Sequence, residues 1–204
     1  VTIIIPCYNA GKTLAQAVES VLSQSYSNIE CLIIDDGSDD PLTLIELDTA
    51  RMRGIFVIKT VNRGLPAARN IGVAKASGSF IVPLDADDWL ADKGVELMVK
   101  TFFDVRNQEP SKIVAFVFGN MMLHGARSGP KECFANPFEL LFFNTLSYCL
   151  MWDREILLKL GLYDQDMSLG YEDWELAIRA TSRGYSAEKV ANSVLNYRVQ
   201  PNGM

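Results

Sequence analysis

Short apolar runs alternate with stretches of helical period along the first 120 residues. Residues 1–6, "VTIIIP", are apolar at nearly every position, as a strand covered on both faces requires. Leu14, Val18, Val21 and Leu22 follow at the spacing of an amphipathic helix. "ECLIIDD" (30–36) predicts a second strand. The next helix has Asp40 as N-cap, Pro41 at its first position and Gly54 as its stop. "IFVIKT" (55–60), "SFIVPLD" (79–85) and "KIVAFVFGN" (112–120) predict three more strands. Between them lie a helix entered at Pro66 and closed by Gly78, and a helix over 94–103. This β-α-β-α-β-α-β-α-β series predicts an α/β fold, a Rossmann-like, open, mostly parallel sheet flanked by helices.

After Asn120 the rhythm changes. "HGARSGPKECFANP" (124–137) reads as a loop or loose hairpin. A short helix (137–143), a strand-like "SYCLMW" (147–152) and a helix (153–161) follow. Then come a helix over 171–184, closed by Gly184, and a β-like tail (193–199). There is no repeat, low-complexity stretch or linker. The expectation is one domain over 1–204, with a nucleotide-binding half at 1–120 and a substrate half at 121–204.

Composition narrows the class. Hydrophobic residues make up 49% of the 204, ample for a continuous core. A net charge of −6 argues against a nucleic-acid partner. Cys7, Cys31, Cys133 and Cys149 form no C-x-x-C pair, and His124 is the sole histidine, so a zinc site is not expected. The cysteines read as reduced apolar residues, which favours a cytoplasmic setting. His124 itself reads as a loop residue at the surface without a role. The most apolar stretch, 138–152, is too short and too interrupted to span a bilayer. The chain opens inside a strand pattern and ends abruptly. It therefore reads as an excised domain, with any membrane association supplied by segments outside it.

Ligands of open parallel sheets bind outside the carboxyl ends of the strands. Here the first strand ends in "PCYN" and the second in "DDGSDD". The third runs into "VNRG" and the fourth ends in "DADD", so four strand ends offer polar residues to one crevice. Asp85, Asp87 and Asp88 crowd one turn, and two carboxylates ~5 Å apart repel by roughly 3 kcal/mol at an effective dielectric of about 20. A divalent cation, Mn²⁺ or Mg²⁺, resolves that repulsion, because such ions join one or two carboxylates to substrate phosphates. The ordinary alternative is a solvated turn with Asp88 or Asp92 as a cap. Asp36 suits a base N–H or a ribose hydroxyl, or simply caps a turn. Arg69 suits a diphosphate, or is an exposed helical arginine. Tyr8 either stacks on a base or packs. Glu172 and Asp173 open a helix whose dipole favours acids, and an ionised carboxylate is also what a general base requires. Trp174 beside them either lines a sugar platform or packs.

These segments resemble the inverting family 2 glycosyltransferases of the GT-A fold. The resemblance is carried by "TIIIPCYNAGKTLAQAVESVLSQSY", "IECLIIDDGSDD", "NRGLPAARNIGVAKASGSFIVPLDADD" and "LGLYDQDMSLGYEDWELAIRATSRGY", in that order. The last two contain the D-x-D and E-D motifs. The resemblance implies that Pro6, Tyr8 and Asp36 hold the nucleotide base and that Arg69 contacts the phosphate or base side. It implies that Asp85 faces ribose or sugar, that Asp87 holds the metal and that Asp88 shares that work. Asp173 becomes the catalytic base, with Glu172 beside it. A nucleotide-diphosphate sugar, uridine favoured, would donate to a carbohydrate or lipid-linked acceptor, at the cytoplasmic face of a membrane in the lipid case. Where many relatives carry a histidine after "YR", this chain offers Gln200. Two other readings remain: a nucleotide- or glycan-binding module without catalysis, and an aspartate-dependent phosphohydrolase.

Overall fold

A computed structural model describes residues 1–167 and 169–200. The first strand, β1 (Thr2–Cys7), is buried at every position: helices pack on it, and parallel strands flank it on both sides. These are β2 (Glu30–Asp35) and β4 (Phe80–Pro83), and β3 (Phe56–Lys59) adds in parallel to β2. Helices α1 (Leu14–Leu22), α2 (Pro41–Met52) and α3 (Leu65–Lys75) connect these four strands. Asp40 caps α2 as expected, its carboxylate accepting from the Thr43 backbone N–H at 2.8 Å. Helix α3 lies so close to β1 that a Cβ on Gly72 would meet Ile4 Cγ2 at 2.4 Å.

The sheet continues with strands from the second half. Its order is β3-β2-β1-β4-β8-β6-β9-β5, with β5 (Trp89–Leu90), β6 (Val114–Gly125), β8 (Met151–Asp153) and β9 (Ser186–Val199). A short β7 (Gly129–Lys131) hangs on β6 as a hairpin. Parallel pairing holds across β3-β2-β1-β4 and between β6 and β9. Antiparallel pairing enters where β8 wedges between β4 and β6. Helix α4 (Gly94–Gln108) packs on β9 and β6, and α5 (Arg154–Leu160) and α6 (Glu172–Ser182) follow β8. A continuous apolar cluster runs through both halves, with the Phe116 and Trp152 rings 4.6 Å apart near its centre.

Several expectations change. The fifth expected strand runs on to Gly125, so His124 lies on a strand. Its Nε2 pairs with Asn196 Oδ1 at 2.9 Å and its ring leans on Trp89. The expected helix at 137–143 shrinks to one 3-10 turn, Glu139–Leu141. Phe138, Leu141, Phe142 and Phe143 are exposed there and Leu140 alone of its large apolar residues is buried, too little buried face to stabilise a longer helix. Strand β5 was not foreseen, since two residues carry no period. It matters because it turns the chain straight after Asp88 and pairs with β9 at Trp89↔Asn196. That pairing brings the end of β9 over the strand-end acids. No helix among the described residues is long and apolar enough to cross a membrane. Residues 201–204, the end of the expected domain, lie outside the described residues.

Candidate active site

The carboxyl ends of β1 and β4 border a cleft of about 700 Å³, whose lining includes Pro6, Tyr8, Lys12, Asp85, Asp87 and Gln200. The Tyr8 ring is 53% exposed, available for stacking rather than committed to the core. A smaller hollow of about 220 Å³ adjoins, lined by Pro6, Tyr8, Asp36 and Asn62 among others. Asp36 is buried at its floor. Its Oδ1 accepts from Thr60 Oγ1–H (3.2 Å) and the Arg63 N–H (3.0 Å), and its Oδ2 from the Gly64 N–H (2.8 Å). A carboxylate offers about four acceptor positions, so Oδ2 keeps one for a ligand while the rest shape the 60–64 loop.

The three crowded aspartates part company. Asp85 is ion-paired to Arg69 (Oδ1 to Nη2, 2.8 Å), and its backbone N–H donates to Tyr148 Oη at 3.1 Å. Asp87 faces the cleft. Among the described residues its side chain meets only a long 3.4 Å contact from Gln200 Nε2, while its carbonyl accepts from Arg198 Nε at 2.9 Å. Burial, and then the charge of Asp85, raise its pKa above the usual carboxylate value. Asp88 is 2% exposed and turns away. Its Oδ1 accepts from the Arg198 N–H at 2.6 Å and its Oδ2 from Tyr148 Oη–H at 2.7 Å. Burial pushes its pKa up to about 7 against the pull of those hydrogen bonds. Where the expectation has Asp88 share in metal binding, the structure shows each of its oxygens engaged by the protein, so that it pins β9 to the acid turn while Asp87 faces the cleft.

Arg69 is not the exposed helical arginine of the ordinary reading: it is 1% exposed. Its Nη2 holds Asp85 and its Nη1 holds Glu172 Oε1. Its guanidinium carbon lies 5.4 Å from the centres of both the Tyr148 and Tyr163 rings, within cation–π range. Burial alone would favour losing its proton, but the nearby acids, Asp85 first, keep it firmly charged.

Through Arg69 the acid turn reaches the start of α6. Glu172 is buried, and burial raises its pKa while the Arg69 charge opposes the rise. Asp173 follows, half-buried, and no side chain among the described residues hydrogen-bonds its carboxylate. Burial raises its pKa too, against the Arg69 charge. The helix is entered through Tyr171 at φ 70°, a left-handed conformation rare for a tyrosine. Trp174 does not stand free as a platform. Its Nε1–H donates to the Leu140 carbonyl at 2.7 Å and its ring meets Tyr171 edge-on, bracing the 3-10 turn and its exposed phenylalanines.

Sequence reasoning missed Tyr148, Tyr163 and Lys12. The tyrosines sit in apolar stretches that read as core. Lys12 had one signal, its place between the end of β1 and the start of α1. Among the described residues, no three His, Cys, Asp or Glu side chains cluster to hold a metal. Asp85 and Asp87 remain, two hard oxygen donors on one cleft. That set fits a cation such as Mg²⁺, which takes one or two carboxylates and completes its shell from phosphate and water.

The strand-end turns that build this cleft all fall within residues 2–108, and that stretch matches the sequence model of a family described as "Glycosyl transferase family 2". The chain belongs to glycosyl transferase family 2. Among relatives, it is 36% identical over 121 residues to the Escherichia coli UDP-Glc:alpha-D-GlcNAc-diphosphoundecaprenol beta-1,3-glucosyltransferase WfgD, covering 59% of this chain and 45% of that one. Among solved structures, S. aureus TarS 1-349 in complex with UDP-GlcNAc superimposes with a TM-score of 0.77 at 16% identity, over 99% of this chain and 59% of that one. Mannosyltransferase PcManGT from Pyrobaculum calidifontis, in complex with GDP-Man and Mn²⁺, gives 0.73 at 22% identity, over 99% and 57%. The fold of this family member is thus the GT-A type, as expected. The chain spans between 14% and 45% of the length of the curated relatives it matches.

Proposed function

We propose that this chain is the catalytic part of a metal-dependent, inverting glycosyltransferase. It moves a sugar from a UDP-sugar to a hydroxyl of a carbohydrate or lipid-linked acceptor, in the cytoplasm or at the cytoplasmic face of a membrane. One observation carries the reading. Arg69 grips Asp85 with one nitrogen and Glu172 with another, so the strand-end acids and the helix-start acids form a single site. Uridine is supported by the names of WfgD and of the UDP-GlcNAc complex of TarS; a metal is supported by the Mn²⁺ complex of PcManGT.

In this reading the base lies between Tyr8 and Asp36, beside the Pro6 backbone, and the diphosphate runs along the cleft toward Asp87. Asp87, with Asp85 adjacent, would hold a divalent cation, which would supply charge stabilisation to the diphosphate leaving group. Lys12 is the cationic side chain on the cleft wall and adds to that field. Asp173, without a competing side-chain partner among the described residues, accepts the proton of the acceptor hydroxyl. The acceptor oxygen forms its bond to the anomeric carbon as the bond to the diphosphate oxygen breaks, and the nucleoside diphosphate leaves. The exposed aromatic rim at 138–143 borders the acceptor side.

The test is a panel of nucleotide sugars and nucleoside diphosphates with and without Mn²⁺, read by thermal shift and by release of nucleoside diphosphate. A selective, metal-dependent shift with donor turnover is the expected result. Nucleotide binding with no turnover of any donor would favour a module without catalysis. Hydrolysis of an aryl phosphate in place of sugar release would favour the phosphohydrolase.

A further inference from the structure

We propose that Arg69 is a positioning residue: it fixes the start of α6, and with it Asp173, against the donor-side acid Asp85, and it touches no substrate. The inference rests on the function proposed above and assigns to one buried guanidinium the joining of its donor and acceptor halves.

Four observations converge on it. Arg69 is 1% exposed, so a diphosphate in the cleft cannot reach its guanidinium without unpacking the core. Its two ion pairs span 16 and 103 residues of sequence, joining the end of β4 to the first residue of α6. The neighbouring Asn70 doubles the clamp. Its Nδ2 donates to the Tyr163 carbonyl at 2.8 Å and its Oδ1 accepts from the Tyr163 N–H at 3.0 Å, so α3 also holds the segment that leads into α6. Finally, the helix is entered through Tyr171 at φ 70°. A non-glycine residue persists in that conformation only where its surroundings impose it. The residue after Tyr171 is Glu172, the one Arg69 grips.

Stability alone does not explain the arrangement. Buried ion pairs are often replaceable by apolar side chains without loss. Here, moreover, Arg69 Nε and Tyr163 Oη are buried with no hydrogen-bond partner among the described residues. A cluster with two orphaned polar atoms is a poor stabiliser. It is a good spacer, because the planar fork of arginine sets the distance and angle between two carboxylates. Misplacing a reacting group by about 1 Å lowers a rate on the order of 100-fold.

The experiment compares the parent with Arg69→Met/Glu172→Leu, which removes both partners of the inner pair, and with Arg69→Lys, which keeps the charge but loses the fork. Each is read for melting temperature, UDP affinity by calorimetry with Mn²⁺, kcat and KM, and the ¹⁹F signal of 5-fluorotryptophan at Trp174. The expected pattern is a UDP affinity within about threefold of the parent, donor KM little changed, kcat lower by roughly 100-fold, and a shifted Trp174 signal. A loss of UDP affinity as large as the loss of rate would overturn the proposal in favour of direct diphosphate contact. Parent-level kcat in either variant, once folded, would reduce Arg69 to packing. If the parent itself turns over no donor, the proposed function falls. The Trp174 signal then still decides positioning, and an unshifted signal in both variants overturns it.

Discussion

Asp87 and Asp88 are adjacent, identical in type and assigned together to a metal by sequence, yet they should fail in opposite ways. Truncating Asp88 to alanine strips the acceptor from two donors, the Arg198 N–H and Tyr148 Oη–H. The Tyr148 hydroxyl is left in the interior and the Arg198 N–H of β9 part-buried. An unsatisfied buried donor costs about 1–3 kcal/mol, so Asp88→Ala should lose about 2–6 kcal/mol against a typical domain stability of about 5–15 kcal/mol. Asp87→Ala removes one 3.4 Å contact and relieves repulsion from Asp85. Its stability should stay within about 0.5 kcal/mol of the parent. Urea unfolding followed by tryptophan fluorescence measures both, with the slope checked for constancy. In the same preparations, Asp87→Ala should lose the Mn²⁺-dependent part of UDP binding. If Asp88→Ala is as stable as the parent, or loses metal-dependent binding while remaining stable, the reassignment of Asp88 to an anchor is wrong.

Asp173→Asn should lower transfer by about 10²–10⁴-fold, the usual worth of a general base, while UDP affinity and melting temperature hold. The Asp173 pKa is raised by burial, and only the ionised form accepts a proton. The acid limb of kcat/KM should therefore lie above the ordinary aspartate value near 4, with rate lost as pH falls through it; a limb at or below that value would exclude Asp173 as the titrating base. Tyr8→Ala should weaken UDP binding by about 1–3 kcal/mol, the scale of base–aromatic stacking, without changing stability, since the ring is half exposed; calorimetry and urea unfolding separate the two. Gly72→Ala should destabilise by about 1–3 kcal/mol through overpacking, because its Cβ would meet Ile4 Cγ2 at 2.4 Å; an unchanged unfolding midpoint would mean that α3 and β1 can part freely.

Much of the first half was legible because its signals are local. The near-uniform apolarity of residues 1–6 reflects cover on both faces of the sheet, and Asp40-Pro41 is a capping signal complete in two residues. The gathering of polar strand ends follows from parallel topology, which placed Tyr8, Asp85 and Asp87 on one cleft. What escaped depends on partners far along the chain. Asp88 differs from Asp87 only because Tyr148, 60 residues on, and Arg198, 110 residues on, claim its oxygens. Arg69 read either as a diphosphate partner or as an exposed helical cation, and neither reading foresees Glu172 and two tyrosine rings closing over it. Strand β5 is too short to have a period. The helix expected at 137–143 failed because its aromatic residues find no surface to pack against.

The stereochemistry of donor cleavage is the most direct test. With the UDP-α-sugar that the donor panel selects, and Mn²⁺ present, proton NMR over the first minutes of turnover identifies the anomer released to water or acceptor before it equilibrates. A single displacement from the face opposite the diphosphate, with Asp173 as base, requires the β product to appear first. An α product appearing first, or a donor left intact at every metal concentration, would contradict it.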